Sequence, residues 1–187
     1  MFTYLQNLDT SILLFIQEHI RNPILTPIFK FITGLGNAGM IWIFIIFLLL
    51  CYRKSRKTGI AALITIVICF IINNIMIKNF AARPRPFTMI QNLQILIAKP
   101  TDFSFPSGHT AISFAVAGAI FFAGNKKFGI GAFVLASAIG FSRLYLGVHY
   151  PSDVICGILV GLLTSLCVSK VFVYSQDKLK GNVISSK

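Results

Sequence analysis

The chain has 187 residues, of which 56% are hydrophobic and only 12% charged. A soluble domain carries about 25% charged residues, so the composition excludes an ordinary soluble globule, a disordered chain and a disulfide scaffold. It points to a polytopic membrane protein. The net charge is +12, from 17 Lys and Arg against 5 Asp and Glu. Most of the cations sit in short clusters between apolar runs, the pattern of membrane-flanking loops and not of a nucleic-acid surface.

Tyr4 to Ile20 mixes apolar residues with Gln6, Asp9, Gln17, Glu18 and His19. Residues 1–22 therefore read as an amphipathic helix lying at the membrane interface. No Lys or Arg precedes the apolar stretch and no small-residue cleavage site follows it, so no cleaved signal peptide is expected. Ile24 to Gly34, with Pro27 and Lys30, reads as a short or kinked crossing. Ala38 to Tyr52 is nearly all apolar and ends in the basic cluster Arg53, Lys54, Arg56 and Lys57. Gly59 to Ile77 follows, interrupted by Asn73 and Asn74, which suit hydrogen bonds between helices. The longest polar stretch, Lys78 to Phe105, holds three of the seven prolines. Within it Phe87–Lys99 reads as a short amphipathic segment capping a site. Further apolar runs cover Ser107 to Gly124, Phe128 to about Gly140, and Val154 to Tyr174.

Helices of about 17–25 apolar residues span a bilayer. The expected fold is all-α: a single-domain helical bundle over 1–187 with about six transmembrane helices, five being the alternative, and a polar cytoplasmic tail over 175–187. Cys51, Cys69, Cys156 and Cys167 lie in or at the ends of apolar runs without CxxC spacing, so they read as reduced residues, neither disulfides nor metal ligands. Alternating the runs places ten Lys and Arg of the loops and tail on one side and five on the other. The positive-inside rule makes the richer side cytoplasmic, so the loops Lys78–Phe105 and Ser142–Asp153 face outward. The expected location is a cell membrane, crossed several times.

The outward side gathers His109, His149, Lys78, Arg85, Arg143 and Asp153 at comparable depth. Ionisable groups near hydrocarbon are costly and point to function. Taken singly each has a plain reading. Lys78 snorkels at a helix end; Arg83 and Arg85 are interface anchors; Ser107 is an N-cap; His109 packs; Asp153 favours the helix dipole. Tyr145 and Tyr150 read as interfacial aromatics. None of these explains why all converge on one face.

Three segments carry the pattern: K-N-F-A-A-R-P-R-P at Lys78–Pro86, P-S-G-H at Pro106–His109, and S-R-L-Y-L-G-V-H-Y-P-S-D at Ser142–Asp153. Together they resemble the three-part signature of the type 2 phosphatidic acid phosphatase family. Lys78, Arg85 and Pro86 fit its first part, Pro106 to His109 its second, and Ser142, Arg143, His149 and Asp153 its third. A lone P-S-G-H is weak; three parts in order with the right internal spacing are specific. The resemblance covers roughly residues 38–170.

The residue chemistry points the same way. Lys78, Arg85 and Arg143 are cations, and Arg grips phosphate oxygens in a fork. Ser107 and Gly108 stand where an apolar helix begins, with outward N–H groups and room for close approach. Pro151 discourages helix at Tyr150, so His149 precedes the helix and folds back towards Asp153. A carboxylate on one imidazole nitrogen fixes the tautomer and stabilises the cation formed on attack. That makes His149 the nucleophile and leaves His109 as general acid. The resemblance implies the same: a phosphohistidine at His149, Asp153 as its partner, His109 protonating the leaving group, and Lys78, Arg85, Ser107, Gly108 and Arg143 holding phosphoryl oxygens. No metal-ligand spacing and no cofactor motif is present, so neither a metal nor a cofactor is expected.

The function expected from this resemblance is a membrane lipid phosphatase on a lipid phosphate or pyrophosphate, first undecaprenyl pyrophosphate. Phosphatidic acid and phosphatidylglycerol phosphate are the alternatives. The resemblance extends to vanadium haloperoxidases, but those are soluble and the hydropathy here speaks against them. A non-catalytic lipid-binding protein would need the cations but not a histidine pair.

Overall fold

The computed structural model describes the backbone of residues 2–185 and the side chains of 4–172, 174 and 175. No β-strand occurs among the described residues. In hydrocarbon each backbone N–H and C=O needs a partner within the chain, and helices meet that need locally. The helices are α1 (Phe2–Phe15, prolonged by a π-helical turn Ile16–Ile20), α2 (Leu25–Leu35), α3 (Met40–Cys51), α4 (Arg56–Phe70, prolonged by a π-helical turn Ile71–Ile77), α5 (Lys78–Ala81), α6 (Pro86–Met89), α7 (Gly108–Ala123), α8 (Lys126–Tyr145) and α9 (Pro151–Ser185).

Helix α7 is the hub, and α9, α8 and α4 pack around it. Every residue from Thr110 to Ile120 is buried. Small residues permit this packing: a Cβ added at Gly161 of α9 would lie 2.4 Å from the Ala111 carbonyl oxygen, and such close approach holds membrane helices together. The outer faces carry exposed Phe44, Phe47, Phe128, Val134, Leu159 and Leu163, a surface suited to lipid. All four cysteines are free.

Three stretches among the described residues are long and apolar enough to cross a membrane: Arg56–Met89, Lys126–Tyr145 and Pro151–Phe172. Helices α2 and α3 make a fourth if counted as one span bent by 51°. The bend runs through Gly36, Ala38 (φ 50°) and Gly39 (φ 69°), between the two stretches Ile24–Gly34 and Ala38–Tyr52 expected as crossings. Helix α7 is apolar but shorter, at 16 residues.

Phe87–Lys99, expected as a short capping segment, runs irregularly beyond Met89, with Leu93 buried against Leu13 and Tyr150. Some expectations need correction. Tyr145 and Tyr150 are fully buried and not interfacial. The Tyr145 hydroxyl accepts from the Asn22 N–H at 3.0 Å, and the Tyr150 ring lies 3.9 Å beneath the Arg83 guanidinium. Asn73 and Asn74 bond to each other, Nδ2 to Oδ1 at 2.8 Å, and not across helices. The side chains of 176–187 lie outside the described residues, and with them most of the expected polar tail.

Candidate active site

The first signature strip begins with α5. Ala82 takes a left-handed conformation (φ 43°) and ends the helix, and the prolines after Arg83 and Arg85 keep the chain out of helix until Pro86. The second strip crosses a cis Phe105–Pro106 peptide and opens α7. The third spans the last turn of α8, a five-residue turn and the first turn of α9.

These strips meet at one cavity of about 1030 Å³. Six of the eight expected site residues line it: Lys78, Arg85, Gly108, His109, Arg143 and His149. Ser107 and Asp153 lie behind that lining, fully buried. The Ser107 backbone N–H donates to the Asp153 carbonyl at 3.0 Å, tying the second strip to the third. Its hydroxyl accepts from Thr110 at 2.9 Å and does not cap α7.

His149 is buried in the turn before α9. Its Nε2 lies 3.3 Å from Arg85 Nη1, and its Nδ1 lies 3.4 Å from Asp153 Oδ2. The second contact is close but not aligned as a hydrogen bond. Burial, reinforced by Arg143 and Arg85 and opposed by Asp153, pushes the His149 imidazole down to about 4, so it is neutral at pH 7. Asp153 is held on all sides: Oδ2 accepts from the Ser104 hydroxyl at 2.5 Å and the Tyr150 N–H at 2.9 Å, and Oδ1 from Arg83 Nη1 at 2.7 Å.

His109 sits in the first turn of α7, its Nε2 3.0 Å from Asn37 Oδ1 at the α2–α3 bend. Gly36 makes room for the ring, since a Cβ there would lie 2.8 Å from His109 Cδ2. Arg143 Nη1 donates to Thr33 at 2.6 Å, while its buried Nε has no partner among the described residues. Asn74 also lines the cavity, and its Oδ1 is 3.0 Å from where a Cβ on Gly108 would stand.

Asp102 was not singled out by the sequence. It sits on two of the three cations, Oδ2 at 2.5 Å from Lys78 Nζ and Oδ1 at 2.6 Å from Arg85 Nη2. Burial resists its ionisation, but Lys78 and Arg85 outweigh that and hold its carboxyl at about 2. Arg83, expected as an interface anchor, instead bridges Asp153 and Asp9. Arg83, Ser104 and Asp102 lie in the same polar stretch as the first strip. Only the fold tells them apart from loop residues.

One flank of the wall is apolar. Ile43 on α3 and Leu63, Val67 and Phe70 on α4 line the cavity and are themselves exposed on the bundle's outer surface. The cavity is therefore polar at the histidines and opens along an apolar flank, a shape that accepts a phosphate attached to hydrocarbon. Among the described residues no three of His, Cys, Asp and Glu gather as a metal-ligand set.

Comparison with known proteins agrees with this layout. The family model of the PAP2 superfamily matches residues 58–177. An undecaprenyl-diphosphatase of Sulfolobus acidocaldarius is 37% identical over 121 residues, covering 65% of this chain and 58% of that protein. The bacitracin transport permease protein BcrC of Bacillus licheniformis is 41% identical over 115 residues, covering 62% and 56%. The chain thus spans under two thirds of the length of these relatives. The crystal structure of a transmembrane PAP2 type phosphatidylglycerolphosphate phosphatase from Bacillus subtilis is similar with a TM-score of 0.72 and 30% identity, covering 90% of this chain and 86% of that one.

Proposed function

The chain belongs to the PAP2 superfamily, and from that premise we propose that it is an integral-membrane lipid phosphatase working through a phosphohistidine at His149. The observation that carries this is the convergence of both histidines and three cations on one cavity with an apolar flank.

The terminal phosphate lies among Lys78, Arg85 and Arg143, with the α7 N-terminus at Ser107 and Gly108 beside it. Neutral His149 attacks phosphorus through Nε2, the nitrogen facing away from Asp153. The P–N bond forms as the bond from phosphorus to the leaving oxygen breaks. Asp153 steadies the imidazolium that results, and His109 gives its proton to the leaving oxygen. Water then attacks the phosphohistidine, His109 takes a proton from it, and inorganic phosphate leaves. Cations and a helix end supply the charge stabilisation.

Undecaprenyl diphosphate is the first candidate substrate. Lys30 supports it: this cation lines the cavity on the face of α2 that also carries Thr33, and no carboxylate lies within ion-pair distance of it among the described residues. It suits a second phosphate on the leaving-group side. Phosphatidic acid and phosphatidylglycerol phosphate are the alternatives.

In the membrane the bent α2–α3 pair, α4, α7, α8 and α9 make five crossings. Helix α1 and its π-helical turn lie along the outer face. Support comes from its partners: Asp9 with Arg83 and Ser152, Gln17 with Asn92 and Gln94, and Arg21 with Tyr145, all at the site end of the bundle. Basic Arg53–Lys57 and Lys126–Lys127 fall together at the other end, where Thr58 donates to the Ala123 carbonyl. The positive-inside rule makes that end cytoplasmic and the site extracytoplasmic.

The test is inorganic phosphate release by the purified, EDTA-treated protein from these three lipids, in wild type and His149→Ala. Release by wild type alone is expected, with kcat/KM ranking the lipids. Undiminished release by His149→Ala contradicts the mechanism.

A further inference from the structure

Asp9 is buried on a helix whose neighbouring Leu5 and Leu8 are exposed. A carboxylate removed from water needs partners, and those of Asp9 all belong to the site's supporting layer. Oδ2 accepts from Arg83 Nη2 at 2.8 Å and from the Ser152 hydroxyl, and Oδ1 accepts from the Ser152 backbone N–H at 2.9 Å.

Two consequences follow from these bonds. First, the Arg83 fork joins two carboxylates, Asp9 by Nη2 and Asp153 by Nη1, while the Tyr150 ring lies beneath the guanidinium. Asp9, Arg83, Asp153 and His149 thus form one chain of alternating charge ending at an imidazole. Secondly, α9 opens with Pro151, which has no N–H, so the Ser152 N–H is the first unpaired donor of its N-terminus. A side chain just ahead of the helix normally accepts such a bond. Here Asp9 supplies it from α1 and pins the turn that carries Asp153.

We infer that Asp9 is a positioning residue for the His149 nucleophile, acting from the N-terminal helix through Arg83 and the first turn of α9. Asp9 lies outside the residues matched by the family model and does not line the cavity. It touches none of Lys78, Arg85 or Arg143. Its removal therefore lowers kcat and spares KM: Arg83 turns wholly onto Asp153, and the carboxylate steadies the imidazolium less.

The inference rests on the phosphohistidine reading, and the experiment separates the two. Phosphate release from undecaprenyl diphosphate and phosphatidic acid is measured with wild type, Asp9→Asn, Asp9→Glu, Arg83→Gln and the Asp9→Asn/Arg83→Gln double variant, per mole of folded, monodisperse protein. Asp9→Asn is expected to lower kcat about tenfold and Asp9→Glu about threefold, with KM within threefold of wild type. The double variant should be no slower than Arg83→Gln alone, because residues acting through one network are non-additive. If Asp9→Asn does not fold, Asp9→Glu carries the test. Wild-type kcat in every folded Asp9 variant, or additive losses in the double variant, would overturn the inference and leave Asp9 as a fastener of α1. A wild type inactive on both lipids would overturn the phosphatase reading itself and this inference with it.

Discussion

Asp102→Asn is expected to strengthen the site's grip on a free phosphate-like anion. In the structure the Asp102 carboxylate occupies Lys78 and Arg85, at 2.5 and 2.6 Å, the cations proposed to take the substrate phosphate. An incoming anion has to displace it. The carboxyl stands at about 2 against an ordinary 3.8. At about 1.36 kcal/mol per tenfold, that is roughly 2.5 kcal/mol of attraction. The Asp102 side chain is 53% exposed, so solvent screening reduces this to about 1 kcal/mol, or about fivefold in affinity. Asn keeps the backbone carbonyl that accepts from Arg85 Nε at 2.8 Å, so the loop stays anchored. The assay is competitive inhibition of phosphate release by orthovanadate. A fivefold lower inhibition constant is expected. An unchanged or higher constant would show that Asp102 builds the cation pair and does not merely cover it.

Asp153→Asn and His109→Ala should each lower kcat by about 10²-fold or more, the usual worth of a positioned acid–base group; losses below tenfold would remove that residue from the mechanism. His149 gives a pH signature in stability. Its folded value, about 4, lies below the ordinary 6.5, so as pH falls from 6.5 the unfolded chain takes up the proton first. Wild type should therefore lose stability relative to His149→Gln between pH 6.5 and 4, by about 3 kcal/mol at most, and no further below that. A melting-temperature difference that stays flat across this window contradicts the burial argument. Gly161→Val should fail as a membrane bundle, because its Cβ would meet the Ala111 carbonyl at 2.4 Å and the Ala115 nitrogen at 2.8 Å, and backbone cannot yield as a side chain can. A monodisperse variant melting like wild type would contradict this packing.

The signature residues were legible because their spacing is local. Lys78 and Arg85, or Arg143, His149 and Asp153, are set by one turn of chain each, and the apolar runs mark the helices between them. The supporting layer was not legible. Arg83 meets Asp9 across 74 residues and Asp153 across 70, and Ser104 meets Asp153 across 49; no periodicity encodes such pairs. Asp102 carried no signal beyond its charge. Tyr145 and Tyr150 looked interfacial because aromatics flanking apolar runs usually are. The fold instead lays α1 and the 90–97 segment over them, with Ile16 and Leu13 closing the cover. The α2–α3 bend was not legible either. Gly36 looks like a loop residue, yet it gives the His109 ring its room.

The central claim is a covalent phosphoryl group on His149. The direct measurement is rapid acid-free quenching of the protein with lipid labelled in its terminal phosphate, followed by identification of the labelled residue. The account predicts an acid-labile phosphohistidine at His149, absent from His149→Ala and longer-lived in His109→Ala, which lacks the base for the second step. Label on any other residue, or turnover of His149→Ala at the wild-type rate, would contradict it.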